Sequence, residues 1–351
     1  MPLREFFNLR KKLSDFQNRF TPGVLILLYH RIASLPSDPC RLCVSPKHFA
    51  EHLEVLKKIC RVMSLRDLTR ALDEGELPHR AVVITFDDGF ADNLQMAKPL
   101  LARHDMPATV FVTSGQIGAE REFWWDELDR LLLQPVELPP SITLGVNGQH
   151  HTFDTSNARH FTAEDARRGR AWHAYQPNDP HPRYTLFRSI LQRLARETPA
   201  VQRAVTEQLR KQLGASLQMR RTHRCMSAGE IRVLEHDGLV EIGAHTVSHP
   251  WLAAIPLAEQ RREMAQSKAE LEEILGKPVT SFAYPHGSRA DYTPDTAAAA
   301  QDAGYQLACS NFYGLVRRGT SRYELPRVLV HDHDGEKFTA LLHAWLRGNT
   351  R

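Results

Sequence analysis

Apolar and polar positions along this chain follow two alternating periods. Nearly continuous apolar runs, rich in β-branched residues, occur at 24–29, 81–86, 108–113, 239–244, 279–284, 306–310 and 327–330. Between them, apolar residues return at helical spacing over 46–60, 65–74, 92–104, 227–236, 257–275 and 294–303. Ser227 with Glu230 reads as a capping box ahead of Ile231, Val233 and Leu234. Ser45-Pro46 and Thr293-Pro294 each place a cap and then a proline at a helix start. Uninterrupted apolar strands that alternate with helices predict an α/β fold whose parallel sheet is covered on both faces. Such a set of strands suits either an open doubly wound sheet or a closed barrel.

Residues 115–225 break this rhythm. They open on Phe123-Trp124-Trp125 and a helical stretch to Leu133, continue through a proline-broken strand or loop region over 136–153, and end in amphipathic helices over about 184–197 and 199–213. The expected organisation is an N-terminal helix over 1–22 and one catalytic domain over 23–351, interrupted by the insertion 115–225.

Charge adds one feature. Net charge is only +4, yet residues 156–224 hold fourteen Lys and Arg against five Asp and Glu. The block suits an acidic partner such as phosphate, a lipid headgroup or nucleic acid, or else a solvated arginine-rich helical surface. Leu3, Phe6, Phe7, Leu13, Phe16 and Phe20 recur among basic residues, which suits a helix packed on its own domain or resting on a membrane surface. No nucleic-acid partner is expected. Five cysteines, with a lone C-x-x-C at Cys40 and Cys43, read as free thiols. The run 24–29 is too short for a signal core, so the expectation is a cytoplasmic protein, peripheral at the inner membrane face if the first helix touches lipid.

Candidate chemistry stands where the apolar runs end. Run 81–86 leads into Asp87-Asp88-Gly89, and run 239–244 into His245-Thr246-Val247-Ser248-His249. Adjacent carboxylates repel, so a cation is expected beside them, and a turn at Gly89 can bring both toward one point. The H-x-x-x-H spacing brings two imidazoles within reach of the same ion. One carboxylate and two imidazoles make a three-ligand site for Zn2+ or another divalent first-row metal, leaving the second carboxylate as a base. These motifs and Tyr284-Pro285-His286-Gly287 all follow strands, and a barrel gathers strand C-termini on one rim. The plainer reading is an acidic turn and a chance pair of histidines.

Taken together, Thr85-Phe86-Asp87-Asp88-Gly89, the stretch from Glu241 to Leu252, and Phe282-Ala283-Tyr284-Pro285-His286-Gly287 resemble the polysaccharide deacetylase family, carbohydrate esterases with a NodB-type domain. The matching segments span about 24–114 and 225–331. The resemblance implies a distorted (β/α) barrel of about seven strands, here with a largely helical insertion. It also implies hydrolysis of an N-acetyl group on an amino sugar within a glycan or glycan precursor. Asp87 would be the general base, Asp88, His245 and His249 the metal ligands, and the His286 backbone N–H an oxyanion donor.

Two histidines compete as general acid. His30, in Leu28-Tyr29-His30, resembles the poly-N-acetylglucosamine branch of the family and is preferred, because Phe-Ala-Tyr-Pro also matches that branch. His331, in Leu329-Val330-His331, is the alternative. Ala283 stands near the place where the commoner branch carries an arginine that orients the base, and Arg327 is a candidate substitute. Tyr284, Trp124, Trp125 and Arg327 are the expected substrate-binding residues, the tryptophans by stacking on a sugar face. The acceptor is expected to be an N-acetylated sugar, glycan or lipid-linked glycan. Removal of formyl, or a nucleotide-linked sugar, are alternatives. A glycosyltransferase reading rests on Asp332-His333-Asp334 alone, and a non-catalytic sugar-binding relative is the third class.

Overall fold

The computed structural model of the protein describes residues 23–349. The helix expected over 1–22 lies outside the described residues.

Seven strands form the frame: β1 (Val24–Tyr29), β2 (Ala81–Phe86), β3 (Ala108–Val112), β4 (Val240–Ala244), β5 (Ser281–Ala283), β6 (Leu307–Cys309) and β7 (Val328–Leu329). They lie side by side in the order β6-β5-β4-β3-β2-β1-β7, and every pairing is parallel. A two-residue strand, Arg61–Val62, joins the start of β2. Every residue of β1, β2 and β3 is buried, which is why these strands read as continuous apolar runs. Odd and even positions of β1 and β2 pack into different clusters, one under the helices and one inside the curled sheet.

The curl is closed by Leu325 to Val330 rather than by a long ladder. On one side Leu325 N–H donates to Ala308 O (2.9 Å), and Ser310 N–H to Leu325 O (2.9 Å). On the other side Val330 N–H donates to Leu28 O (2.9 Å). The result is a distorted (β/α) barrel with all strand C-termini on one rim. Run 327–330 contributes only two residues of strand, and the Arg327 N–H donates to Phe312 O (3.1 Å) outside the ladder.

The insertion carries a hydrophobic cluster of its own, built from Leu128, Leu131, Leu132, Phe187, Ile190, Val205 and Leu209 among others. These come from helices α1 (Trp124–Leu132), α2 (Pro182–Leu194) and α3 (Pro199–Gln212). The stretch read as proline-broken strand or loop forms an antiparallel hairpin, Ser141–Val146 against Gln149–Asp154. Its turn is Asn147-Gly148, with φ of 49° and 78°. Asn-Gly is a strong signal for such a tight turn.

Arg183 fastens these pieces together. It is fully buried and donates to the carbonyls of Ala158 (2.8 Å), Leu132 (2.9 Å), Val136 (2.8 Å) and Arg159 (2.9 Å). Arg183→Leu orphans four carbonyls at once, so a loss of roughly 3 kcal/mol or more is expected. A lower urea midpoint, with metal binding at the barrel rim unchanged, is the outcome to measure.

Half of the basic block is ion-paired within the insertion itself. Arg159 meets Glu137, Arg167 and Arg168 meet Glu164, Arg188 meets Asp179, and Arg210 and Lys211 meet Glu207. Arg220 is held by Glu122 and Asp129. Among the described residues no helix is long and apolar enough to cross a membrane. The five cysteines are free. Asp332 accepts hydrogen bonds from the Ser45 N–H and hydroxyl (both 2.9 Å), and Asp334 caps the helix Gly335–Leu346. Both acids of the D-x-D triplet therefore have structural partners.

Candidate active site

Five strands deliver side chains to the rim. Parallel pairing sets Tyr29 beside Phe86, so His30 and Asp87 leave their strands as neighbours, and the Asp87 N–H donates to Tyr29 O (3.0 Å). Register between β3 and β4 sets Ala244 beside Val112, and the His245 N–H donates to Val112 O (2.9 Å).

Several residues here adopt left-handed backbone: Asp88 (φ 75°), Thr246 (63°), His249 (57°) and His286 (59°). Such conformations cost about 1–3 kcal/mol each and persist only where the surroundings enforce them. Glu263 is one enforcer. Its carboxylate accepts from the N–H groups of Val247 (2.8 Å) and Ser248 (2.9 Å) and from the Ser248 hydroxyl (2.6 Å). The His249 N–H donates to the Thr246 hydroxyl oxygen (3.1 Å). Glu263 carried no motif signal, because its role depends on a helix passing under the loop.

Asp88, His245 and His249 converge, and all are buried. Asp88 Oδ1 lies 3.6 Å from His245 Nε2 and 3.4 Å from His249 Nε2. Ligand atoms about 2.0–2.2 Å from a tetrahedral zinc stand roughly 3.3–3.6 Å from one another. The donor set and its spacing therefore fit a divalent ion. His245 Nδ1–H donates to Ala283 O (2.8 Å), which turns the Nε2 lone pair toward Asp88. Asp88 Oδ1 is buried without a hydrogen-bond partner, an arrangement a cation resolves. Burial first, then the neighbouring Asp87 and Asp126 charges, push the Asp88 carboxyl well above its usual range in the metal-free protein.

Asp87 is held differently. Arg327 Nη1 and Nη2 each reach one of its oxygens at 2.7 Å, a bidentate clamp. Arg327 Nε donates to Ser310 O (2.7 Å), and Nη1 also meets the Thr85 hydroxyl (3.3 Å). Burial raises the Asp87 carboxyl, but Arg327 and then His245 pull it net below its ordinary value. Its Oδ2 is 3.9 Å from His245 Nε2.

The expectation that Arg327 contacts substrate is corrected: it is 1% exposed and spends its donors on Asp87 and the barrel wall. Its guanidinium holds Asp87 instead. Tyr284 is likewise no surface for a sugar. It is fully buried, donates its hydroxyl to Tyr323 O (2.9 Å) and stacks on Tyr292 (centroids 4.3 Å, planes 10° apart). Trp125 does not offer a face either, since Phe123 stacks on it at 4.4 Å with planes 9° apart. Its ring edge meets His249 at 5.1 Å. Trp124 is half-buried between the insertion core and this aromatic cluster.

His30 leaves β1 beside Asp87. Its ring feels the charges of Asp87, Arg327 and His245, and its Nδ1 is buried without a partner. Burial brings it down to about 4, and Asp87 pulls part of the way back. His331 also falls to about 4 through burial, but Arg41, His333 and His173 are its strongest charged neighbours. The His286 ring stands 4.9 Å from that of His249. Its backbone N–H donates to no group among the described residues.

A family model described as polysaccharide deacetylase matches residues 74–168 and 199–308, together more than half of the chain. The poly-beta-1,6-N-acetyl-D-glucosamine N-deacetylase of Staphylococcus aureus is 27% identical over 161 residues, covering 42% of this chain and 52% of that protein. The chain thus spans about half the length of that relative. Among solved structures, IcaB from Ammonifex degensii superposes with a TM-score of 0.57 at 19% identity, covering 93% of this chain and 97% of that one. The Streptococcus pyogenes deacetylase PplD in complex with acetate gives 0.56 at 19% identity, covering 92% and 99%. At these identities the two structures speak to the fold.

Proposed function

The chain belongs to the polysaccharide deacetylase family, and on that premise we propose that it hydrolyses the N-acetyl group of an amino sugar in a glycan, releasing acetate and leaving a free amine. One observation carries the reading. The paired acids at the end of β2 are separated into two tasks, Asp88 converging with two imidazoles and Asp87 clamped by Arg327.

Asp88, His245 and His249 would hold the cation, and zinc suits their donor types and separations. Such an ion supplies Lewis acidity, acidifying water and polarising the acyl oxygen. Asp87, ionised at neutral pH, accepts the proton of the attacking water. The water oxygen bonds to the acyl carbon, the carbon–nitrogen bond breaks, and the departing amine needs one proton. His30 is neutral at pH 7 in the metal-free site, so that proton is the one Asp87 has taken up. The low basicity of Asp87 favours its release, and the His30 ring is placed to guide it to the amine. The His286 N–H is assigned to the developing oxyanion.

Among the described residues a lipid-linked acceptor at a membrane face draws support only from the cationic insertion, and half of those cations are already ion-paired within it. The glycan reading therefore takes precedence. Its test is release of acetate and formate, both quantified, from N-acetylglucosamine oligosaccharides. Acetate should appear with zinc present, stop on chelation and return when zinc is restored. Metal-independent release, or formate in place of acetate, would overturn it.

A further inference from the structure

Beside the metal ligands stands a carboxylate that the chemistry above leaves unused. Asp126, in the first turn of α1, is 9% exposed, and its Oδ2 is buried with no donor among the described residues. Phe90, Phe123, Trp125 and Cys225 form an apolar cluster beside it, and Arg31, Arg220, Glu122 and Asp129 are its charged neighbours. The nearby cations are committed elsewhere: Arg31 to Asp92, and Arg220 to Glu122 and Asp129. Burial pushes the Asp126 carboxyl up to about 7, against the pull of Arg31 and Arg220. Asp126 lies near enough to Asp88 for its charge to act there.

The preceding residue shows the complementary defect. Trp125 Nε1–H is a buried donor with no acceptor among the described residues, on the ring that packs against His249. An unpaired acceptor and an unpaired donor thus come from consecutive residues at one wall of the metal site. Native proteins rarely leave such groups unmet. Neither Arg31 nor Arg220 hydrogen-bonds the Asp126 carboxylate, so its buried oxygen lacks a donor. Hydroxyl groups both donate and accept, and a pyranose ring carries them side by side.

We propose that Asp126 and Trp125 Nε1 form a substrate subsite that takes ring hydroxyls of the sugar and positions its acyl group over Asp88, His245 and His249. The subsite rests on the deacetylase reading, and Asp126 is a positioning residue within it.

The experiment uses the zinc-loaded protein and a tetrasaccharide of β-linked N-acetylglucosamine. Asp126→Leu removes the acceptor and should raise KM roughly tenfold or more. The value of kcat should change far less, zinc content should hold, and the melting temperature should stay level or rise, since a costly buried carboxylate is gone. Asp126→Asn keeps an acceptor oxygen and should recover most of the loss. Trp125→Phe keeps the ring and should raise KM by a smaller factor. An unmoved KM overturns the proposal, as does a fall in kcat, zinc content and melting temperature together. If the wild type releases no acetate, the deacetylase reading fails. Calorimetric binding of the same tetrasaccharide then judges the subsite: tighter binding to wild type than to Asp126→Leu supports it, and equal or absent binding overturns it.

Discussion

Asp87→Asn is expected to cut turnover by about 10²–10⁴-fold, the usual worth of a general base, while the protein keeps its metal. The amide preserves shape and still offers Arg327 one acceptor oxygen, but it cannot take a proton. Asp88→Asn is the companion variant, because Asp88 Oδ1 is the atom shared by the 3.4 Å and 3.6 Å approaches of the two imidazoles. That variant should lose metal and activity together. Zinc content after dialysis, read beside acetate release, separates the two acids. Were Asp87→Asn to emerge without metal, Asp87 would be a ligand and the division of labour would collapse.

Arg327→Leu is the second large effect. It leaves Asp87 buried and uncompensated, which typically costs about 3–5 kcal/mol. The sign of its pH dependence follows from the two surroundings. In the wild type, Arg327 keeps the folded-state value of Asp87 below its ordinary one, against burial. That contribution is present above the unfolded value of about 4 and disappears as pH falls through the lower folded value. Without Arg327, burial acts nearly alone and raises the carboxyl, so stability is instead lost as pH rises above about 4. The metal-free variant should therefore be weakened more at pH 7 than at pH 5 in urea melts. Adding Asp87→Asn should recover much of the loss, as coupling between the pair requires. Equal destabilisation at both pH values, or no recovery in the double variant, would show that the clamp carries little energy.

Much of the barrel and the metal centre is legible in the sequence, for a local reason. A strand buried on both faces must be apolar throughout, so β1, β2 and β3 announce themselves, and polar residues at their ends stand out. Asp87, Asp88, His245 and His249 each sit directly after such a run or in the loop that follows it. Residues whose meaning lies in distant neighbours were harder to read. Tyr284 and Trp125 look like sugar platforms in a string of letters, yet Tyr292 and Phe123 already cover their faces. Asp126 resembles any acid in the first turn of a helix until its surroundings are known. Arg327 had two readings, and only the closing of the barrel between Leu28 and Ala308 separates them.

That closure also bears on how the protein comes to life. The clamp joins positions 240 apart in the chain, and its guanidinium arrives on the last segment to enter the barrel. A growing polypeptide can gather both imidazoles and both acids well before residue 327 has been made. Without that guanidinium Asp87 lacks the charge that chiefly opposes its burial. Loss of the guanidinium alone would thus leave the three converging ligand residues in place and remove the group that keeps Asp87 ionised.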